Sequence, residues 1–177
     1  MKNTIALMMI GFILCSCESD DITNSKKLIT ESIDINSDSK PDFKLEYYEL
    51  ATTDIPSSAG EKFGEITPID ENLILYDENN GYLFLQVGDV IKKSVSENQR
   101  WSPNGAGVIS KKRREQEYDE FWTIRANSSN NYYLGIKLKN GSSEEIGWVK
   151  LDFNTDTGEV YLLDSHVSSS NEITITD

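Results

Sequence analysis

The sequence predicts an all-β protein, an antiparallel β-sandwich of about eight to ten strands. No run of about eleven or more residues has apolar side chains at helical spacing. Short segments rich in β-branched and aromatic residues instead recur between clusters of Gly, Asn, Asp and Ser. Several of these segments alternate apolar and polar residues, which is typical of strands with one buried face.

The clearest alternation is in the segment 43–48, where Phe43, Leu45 and Tyr47 are predicted to face the core. The segment 132–139 alternates in the same way and ends at Asn140-Gly141, a pair that suits a tight hairpin turn. The principal strands are predicted, in chain order, at residues 43–48, 73–76, 82–85, 132–139, 148–153, 160–163 and 173–175.

The chain divides into three parts by composition. Residues 1–16 are predicted to be a lipoprotein signal peptide, 17–31 a lipidated flexible tether, and 32–177 the β-sandwich domain. The signal has a short basic start at Lys2 and an apolar run of ten residues over 5–14, too short to span a bilayer as a helix.

The end of this apolar run resembles a bacterial lipoprotein signal, in which Leu and a small residue precede the acylated cysteine. Leu14-Cys15-Ser16-Cys17 matches that pattern at Cys17, whereas bulky Leu14 directly precedes Cys15. Cys17 is therefore the predicted lipidation site, and the membrane is the predicted partner. The next residues, 18–21, are Glu-Ser-Asp-Asp. They resemble the acidic export signal of Bacteroidota lipoproteins, which implies an outer-membrane, cell-surface location.

Composition excludes several classes of function. Without residues 1–16 the chain has 16 basic and 30 acidic residues, a formal charge of −14, which argues against nucleic acid as a partner. No cysteine follows Cys17, so no disulfide framework is expected. The single His166 and the lack of nucleophile, zinc or phosphate-loop motifs predict no catalytic residues, although paired carboxylates could still hydrolyse glycosides.

A segment of alternating oxygen-bearing residues at 34–42 predicts a structural calcium site. Calcium prefers six to eight oxygen ligands, which could come from side chains and one backbone carbonyl of this loop. The predicted ligands are Asp34, Asn36, Asp38, the Lys40 carbonyl and Asp42. The spacing resembles the calcium loops of FG-GAP-type repeats and dockerin-like modules, except that Ser39 replaces the usual Gly and Leu45 the last carboxylate. The alternative is an Asx-rich turn without metal.

Two aromatic residues suggest a surface for carbohydrate. Trp148 and Tyr133 fall on the strand faces opposite the predicted core, and aromatic rings with one wet edge often stack on sugars. The alternative is a sandwich with both faces partly covered, in which Trp101, Trp122 and Tyr132 are core residues.

Short sequences spread over 32–165 resemble a family of secreted bacterial β-domains of unknown function. They comprise an Asp-Ile-Asn-x-Asp opening at 34–38, a Tyr-Leu-Gly-Ile stretch at 133–136 and a Gly-Trp-Val-Lys-Leu stretch at 147–151. The resemblance implies a sandwich but no activity. We therefore expect a lipid-anchored surface protein with a non-catalytic β-sandwich that has a binding or structural role, carbohydrate being one candidate ligand. A glycoside-active enzyme and an adhesion or complex-forming protein are the alternatives.

Overall fold

The computed structural model of the protein describes residues 23–52, 58–79, 81–114, 117–118, 123–124, 132–154 and 156–176. These residues form strands, turns and loops, and none of their segments is a helix that could cross a membrane. The prediction of an antiparallel all-β fold of the sandwich type is confirmed. The described residues hold fifteen strands, more than predicted, in part because seven of them are only two to four residues long and too short to show a period.

The first sheet, sheet A, has the spatial order β1-β2-β3-β9-β10, with β11 also paired to β9. Its strands are β1 (Thr23–Ile33), β2 (Phe43–Thr52), β3 (Ser58–Pro68), β9 (Ala106–Arg114), β10 (Glu117–Tyr118) and β11 (Thr123–Ile124). All its neighbouring strands are antiparallel.

The second sheet, sheet B, has the order β14-β13-β12-β4-β5, and β6 and β8 pair with β12 and β4 respectively. Its strands are β4 (Leu73–Asp77), β5 (Gly81–Tyr82), β6 (Phe84–Leu85), β8 (Gln99–Ser102), β12 (Tyr132–Asn140), β13 (Ser143–Phe153) and β14 (Val160–Ser168). The β12–β13 hairpin turns at Gly141, whose φ of 62° is the left-handed conformation expected there. β7 (Val90–Lys92) and β15 (Glu172–Thr174) form a separate two-stranded sheet, sheet C.

Sheets A and B enclose the main hydrophobic core. Phe43 and Leu45 of β2 contribute to it from sheet A, with exposed fractions of 0% and 3%, which confirms the alternation in β2. Leu134, Ile136 and Val149 contribute from sheet B and are fully buried. Each sheet thus buries one strand face against the other, as a sandwich requires.

A second hydrophobic cluster covers the opposite face of sheet B. Its buried members come from sheets B and C and from the chain end after β15: Leu75, Leu85, Ile91, Tyr133, Ile146, Trp148 and Ile175. The central strands of sheet B are therefore buried on both faces, which makes the molecule three-layered at this point. Lys137 is also buried here, and its Nζ is 3.3 Å from the Lys93 carbonyl oxygen and 3.6 Å from Glu144 Oε2.

The predicted boundary between tether and domain at residue 32 is wrong. β1 begins at Thr23 and pairs with β2 from Thr23 opposite Thr52 to Ile33 opposite Phe43. Because this edge strand is mostly polar, its sequence lacks the apolar alternation by which β2 and β12 were predicted. The folded domain therefore starts six positions after Cys17, which itself lies outside the described residues.

Candidate functional site

The predicted calcium ligands lie on the loop that joins β1 to β2. This loop curls back on itself because Ser37 and Ser39 adopt left-handed conformations, with φ of 60° and 70°. Such a conformation is unfavourable for residues other than glycine. Ser39, which stands where the calcium loops named above usually have Gly, therefore adopts a conformation that glycine would adopt without strain.

The side-chain oxygens of the loop accept hydrogen bonds from its own backbone. Asp38 N donates to Asp34 Oδ1 at 3.2 Å and to Asn36 Oδ1 at 3.0 Å. Ser39 N donates to Asp34 Oδ2 at 2.8 Å, and Lys40 N donates to Asp38 Oδ1 at 2.9 Å. These Asx-type bonds hold the loop in a tight curve with three oxygen-bearing side chains close together in sequence.

Asp42 ends the loop and is the buried carboxylate of this region, with an exposed fraction of 6%. Its Oδ2 accepts from Ile35 N at 2.8 Å, and its Oδ1 accepts from Asn72 Nδ2 at 3.2 Å. Burial raises the pKa of the Asp42 carboxyl above its ordinary value, although these hydrogen bonds act in the opposite direction. Asp42 therefore connects the loop to the segment before β4.

Asn72 was not identified as important by sequence reasoning, yet it joins three segments. Its Nδ2 donates to the backbone oxygen and to Oδ1 of Asp42, while its Oδ1 accepts from Lys139 N at 2.9 Å. It is 6% exposed and lies 30 and 67 positions from these partners. No local pattern reveals such contacts, because they arise only when sheets A and B pack together.

These segments line a polar hollow of about 550 Å³, which we term the loop hollow. Its wall combines the loop, the turn before β4 and the β12–β13 hairpin. It includes five acidic side chains: Asp38, Asp42, Asp70, Glu71 and Glu145. A raised carboxyl pKa among other carboxylates is a sign of the paired acids in glycoside hydrolysis. In this hollow, however, both oxygens of Asp42 are occupied by structural hydrogen bonds.

The oxygen atoms of the loop are of the type that calcium prefers, and their spacing in the sequence suits calcium. Their arrangement in the structure is not that of a metal site. Among the described residues, no three Asp, Glu, His or Cys side chains are close enough together to hold a metal ion. Asp34, Asn36 and Asp38 would supply side-chain oxygens and Lys40 its carbonyl, whereas Asp42 is turned toward Ile35 and Asn72. Calcium binding therefore stays a prediction, and the ion's contribution would be to hold the loop together.

Addition of calcium to EDTA-treated protein is expected to raise the melting temperature. An ion that binds only the folded loop stabilises the domain by mass action, by about 2.7 kcal/mol at a hundredfold excess over its dissociation constant. Differential scanning calorimetry of the wild type and of Asp34→Asn with Asp38→Asn measures the effect. The double variant keeps one accepting oxygen at each position but loses the second acceptor of Asp34 and two negative charges, so its rise should be smaller. Equal melting temperatures with calcium and with EDTA in the wild type would refute calcium binding.

The structure places Trp148 and Tyr133 in the second hydrophobic cluster. Both lie on the face of sheet B opposite the main core, as predicted, but Tyr133 is 0% and Trp148 5% exposed. Their rings meet edge to face, with centroids 5.3 Å apart. The exposed aromatic faces that sugar stacking requires are absent, because sheet C and neighbouring segments cover this side of sheet B. Stacking on these two rings is therefore corrected to a core role.

In comparisons with protein-family models, curated proteins and solved structures, the chain matches none. The resemblance of residues 32–165 to a family of secreted β-domains accordingly stays a prediction.

Proposed function

We propose that the chain is a lipid-anchored, cell-surface protein of the outer membrane, whose β-sandwich is a non-catalytic binding or structural domain. The observation that carries this proposal is the sequence around Cys17, a short apolar run ending in Leu14-Cys15-Ser16-Cys17 and followed by acidic residues. Acylation of Cys17 would make the membrane the primary partner. Several acyl chains give stable anchoring where one alone is marginal.

The start of β1 supports this reading. Five residues, 18–22, separate Cys17 from Thr23. A chain of this length spans at most about 20 Å. An acylated Cys17 would therefore hold the domain next to the headgroups instead of at the end of a long linker. The strong negative charge of the chain suits a soluble head at a polyanionic surface.

A complex-forming role is the alternative that a specific observation favours. β14 is an edge strand of sheet B and exposes two large apolar side chains, Tyr161 at 38% and Leu163 at 50%. Edge strands can pair with an added strand from another protein. A protein partner at β14 is compatible with the same lipid anchor.

Surface export is tested by access to the protein in intact cells. An epitope tag at the C-terminus should be labelled by antibody without permeabilisation, and externally added protease should remove it. Replacement of Glu18, Asp20 and Asp21 by Gln, Asn and Asn preserves side-chain size but removes the charges of the acidic run. We expect this variant to remain acylated yet to lose most of its surface labelling. Labelling of the wild type only after permeabilisation would contradict export.

A further inference from the structure

A second hollow lies between the edge strand β14 and the chain segment that contains β15. It has a volume of about 570 Å³, within the usual range of small-molecule sites, and we term it the Trp148 hollow. Trp148 forms part of its wall, together with Asp164, His166 and the hydroxyl groups of serine and threonine residues. We propose that this hollow binds a neutral saccharide unit, with Trp148 Nε1 donating to a sugar oxygen and Asp164 accepting from a sugar hydroxyl.

The first argument is the hydrogen-bonding state of Trp148. Its indole Nε1 is buried, and none of the described protein groups accepts a hydrogen bond from it. Buried polar groups in proteins are nearly always paired, so an exception calls for a physical explanation. Trp101, in the same cluster, shows the usual situation, because its Nε1 donates to the Lys93 carbonyl oxygen at 3.1 Å. A ligand that supplies an oxygen would satisfy Trp148.

The second argument is the chemistry that strand register places around this donor. His166 of β14 is directly opposite Trp148 of β13, and Asp164 is directly opposite Lys150. The Trp148 and His166 rings have centroids 6.1 Å apart. Opposite residues in an antiparallel pair share one face, so the donor, the imidazole and the carboxylate belong to the same side of sheet B.

The third argument is the composition of the remaining wall, which is rich in hydroxyl groups. Ser165, Ser168, Ser170, Thr174 and Thr176 contribute them. Each hydroxyl both donates and accepts, as does each hydroxyl of a sugar. The Asp164 carboxylate and the overall charge of −13 disfavour an anionic ligand. A neutral, polyhydroxylated ring satisfies the donor and acceptors together.

Access to Nε1 requires a small movement, because the atom is shielded from solvent. His166 is exposed, and its ring lies beside that of Trp148, so the inferred binding mode has the imidazole change rotamer to admit the sugar oxygen. Recognition then depends on polar contacts at the indole edge, and no exposed ring face is needed. This differs from the stacking role predicted for Trp148 from its sequence position.

Two tryptophan variants of the full acylated protein in detergent test the inference. The probe is an array of neutral mono- to trisaccharides, followed by calorimetric titration of the best binder. Trp148→Phe removes the indole donor and part of a buried ring, so we expect about a tenfold loss of affinity together with a lower melting temperature from the lost packing. Trp101→Phe removes a paired donor, so it should lower the melting temperature while affinity is preserved.

Asp164→Asn provides a second variant at an exposed position. It preserves an oxygen for the bond from Ser165 N to Asp164 Oδ1 but replaces the other acceptor oxygen by a donor. We expect weaker saccharide binding with no change in melting temperature. Equal affinity of Trp148→Phe and wild type, or wild-type protein that binds no saccharide on the array, would overturn the inference. The inference rests on the binding role proposed above, and its failure would leave acylation of Cys17 and surface labelling untouched.

Discussion

Replacement of Cys17 by alanine is expected to abolish acylation of the protein completely. A lipoprotein-type thioether at this position would need the sulfur of Cys17, and no cysteine follows it in this sequence. Metabolic labelling with an alkynyl fatty acid, followed by click chemistry and gel fluorescence, measures the effect. The wild type should be labelled and Cys17→Ala should give no signal at equal protein amount.

Cys15→Ala is the matched control, since it removes the other cysteine two positions earlier. We expect full labelling of this variant, because Leu14 and Ser16 retain the spacing that the lipoprotein signal requires relative to Cys17. Labelling that survives in Cys17→Ala, or that disappears in Cys15→Ala alone, would show that Cys17 is not the acylated residue. An unlabelled wild type would remove the lipid anchor from the proposed function.

Replacement of Asn72 by alanine is expected to lower the free energy of unfolding by about 2–4 kcal/mol. The change leaves Lys139 N and Asp42 Oδ1 without their partner in a buried region. The backbone oxygen of Asp42 also loses one bond, although it still accepts from Ile69 N at 2.9 Å. Urea denaturation followed by circular dichroism measures the loss.

Asn140→Ala is the control for this experiment. Asn140 also lines the loop hollow, but its side chain is exposed, and changes at such positions usually stay within about 0.5 kcal/mol. Similar denaturation midpoints for Asn72→Ala and Asn140→Ala would show that the hydrogen bonds of Asn72 do not hold the loop to sheet B. Because Asn72 also binds the Asp42 carboxylate, the same result would contradict the role of Asp42 in connecting the loop to the segment before β4.

Strands β2, β12 and β13 were located correctly from the sequence, and each has one face in the main core. Phe43 and Leu45 are buried while Lys44 and Glu46 are partly exposed, so period-two alternation was visible. In β13, alternation correctly separated Val149 from Trp148. The pattern works here because side chains of a strand alternate by geometry, whatever lies beyond each face.

What covers a strand face could not be predicted in the same way. The sequence assigns Tyr133 and Trp148 to the far side of sheet B, but sheet C, which helps cover that side, pairs Val90 with Thr174. These partners are 84 positions apart, and each strand of sheet C has only three residues. Such a contact depends on the assembled fold, so the sequence could not decide whether the face with Tyr133 and Trp148 is exposed or covered. For the same reason, the sequence could not show that Trp148 Nε1 has no acceptor among the described protein groups.

The early start of β1 also has a mechanical consequence. Tension on an acylated Cys17 would enter the domain at Thr23 and act on the β1–β2 ladder, whose hydrogen bonds run across the strands. A pull along the strand axis would shear the ladder, so many bonds would share the load instead of breaking one after another. A surface protein attached in this way would resist detachment of its first strand when a bound partner is dragged by flow.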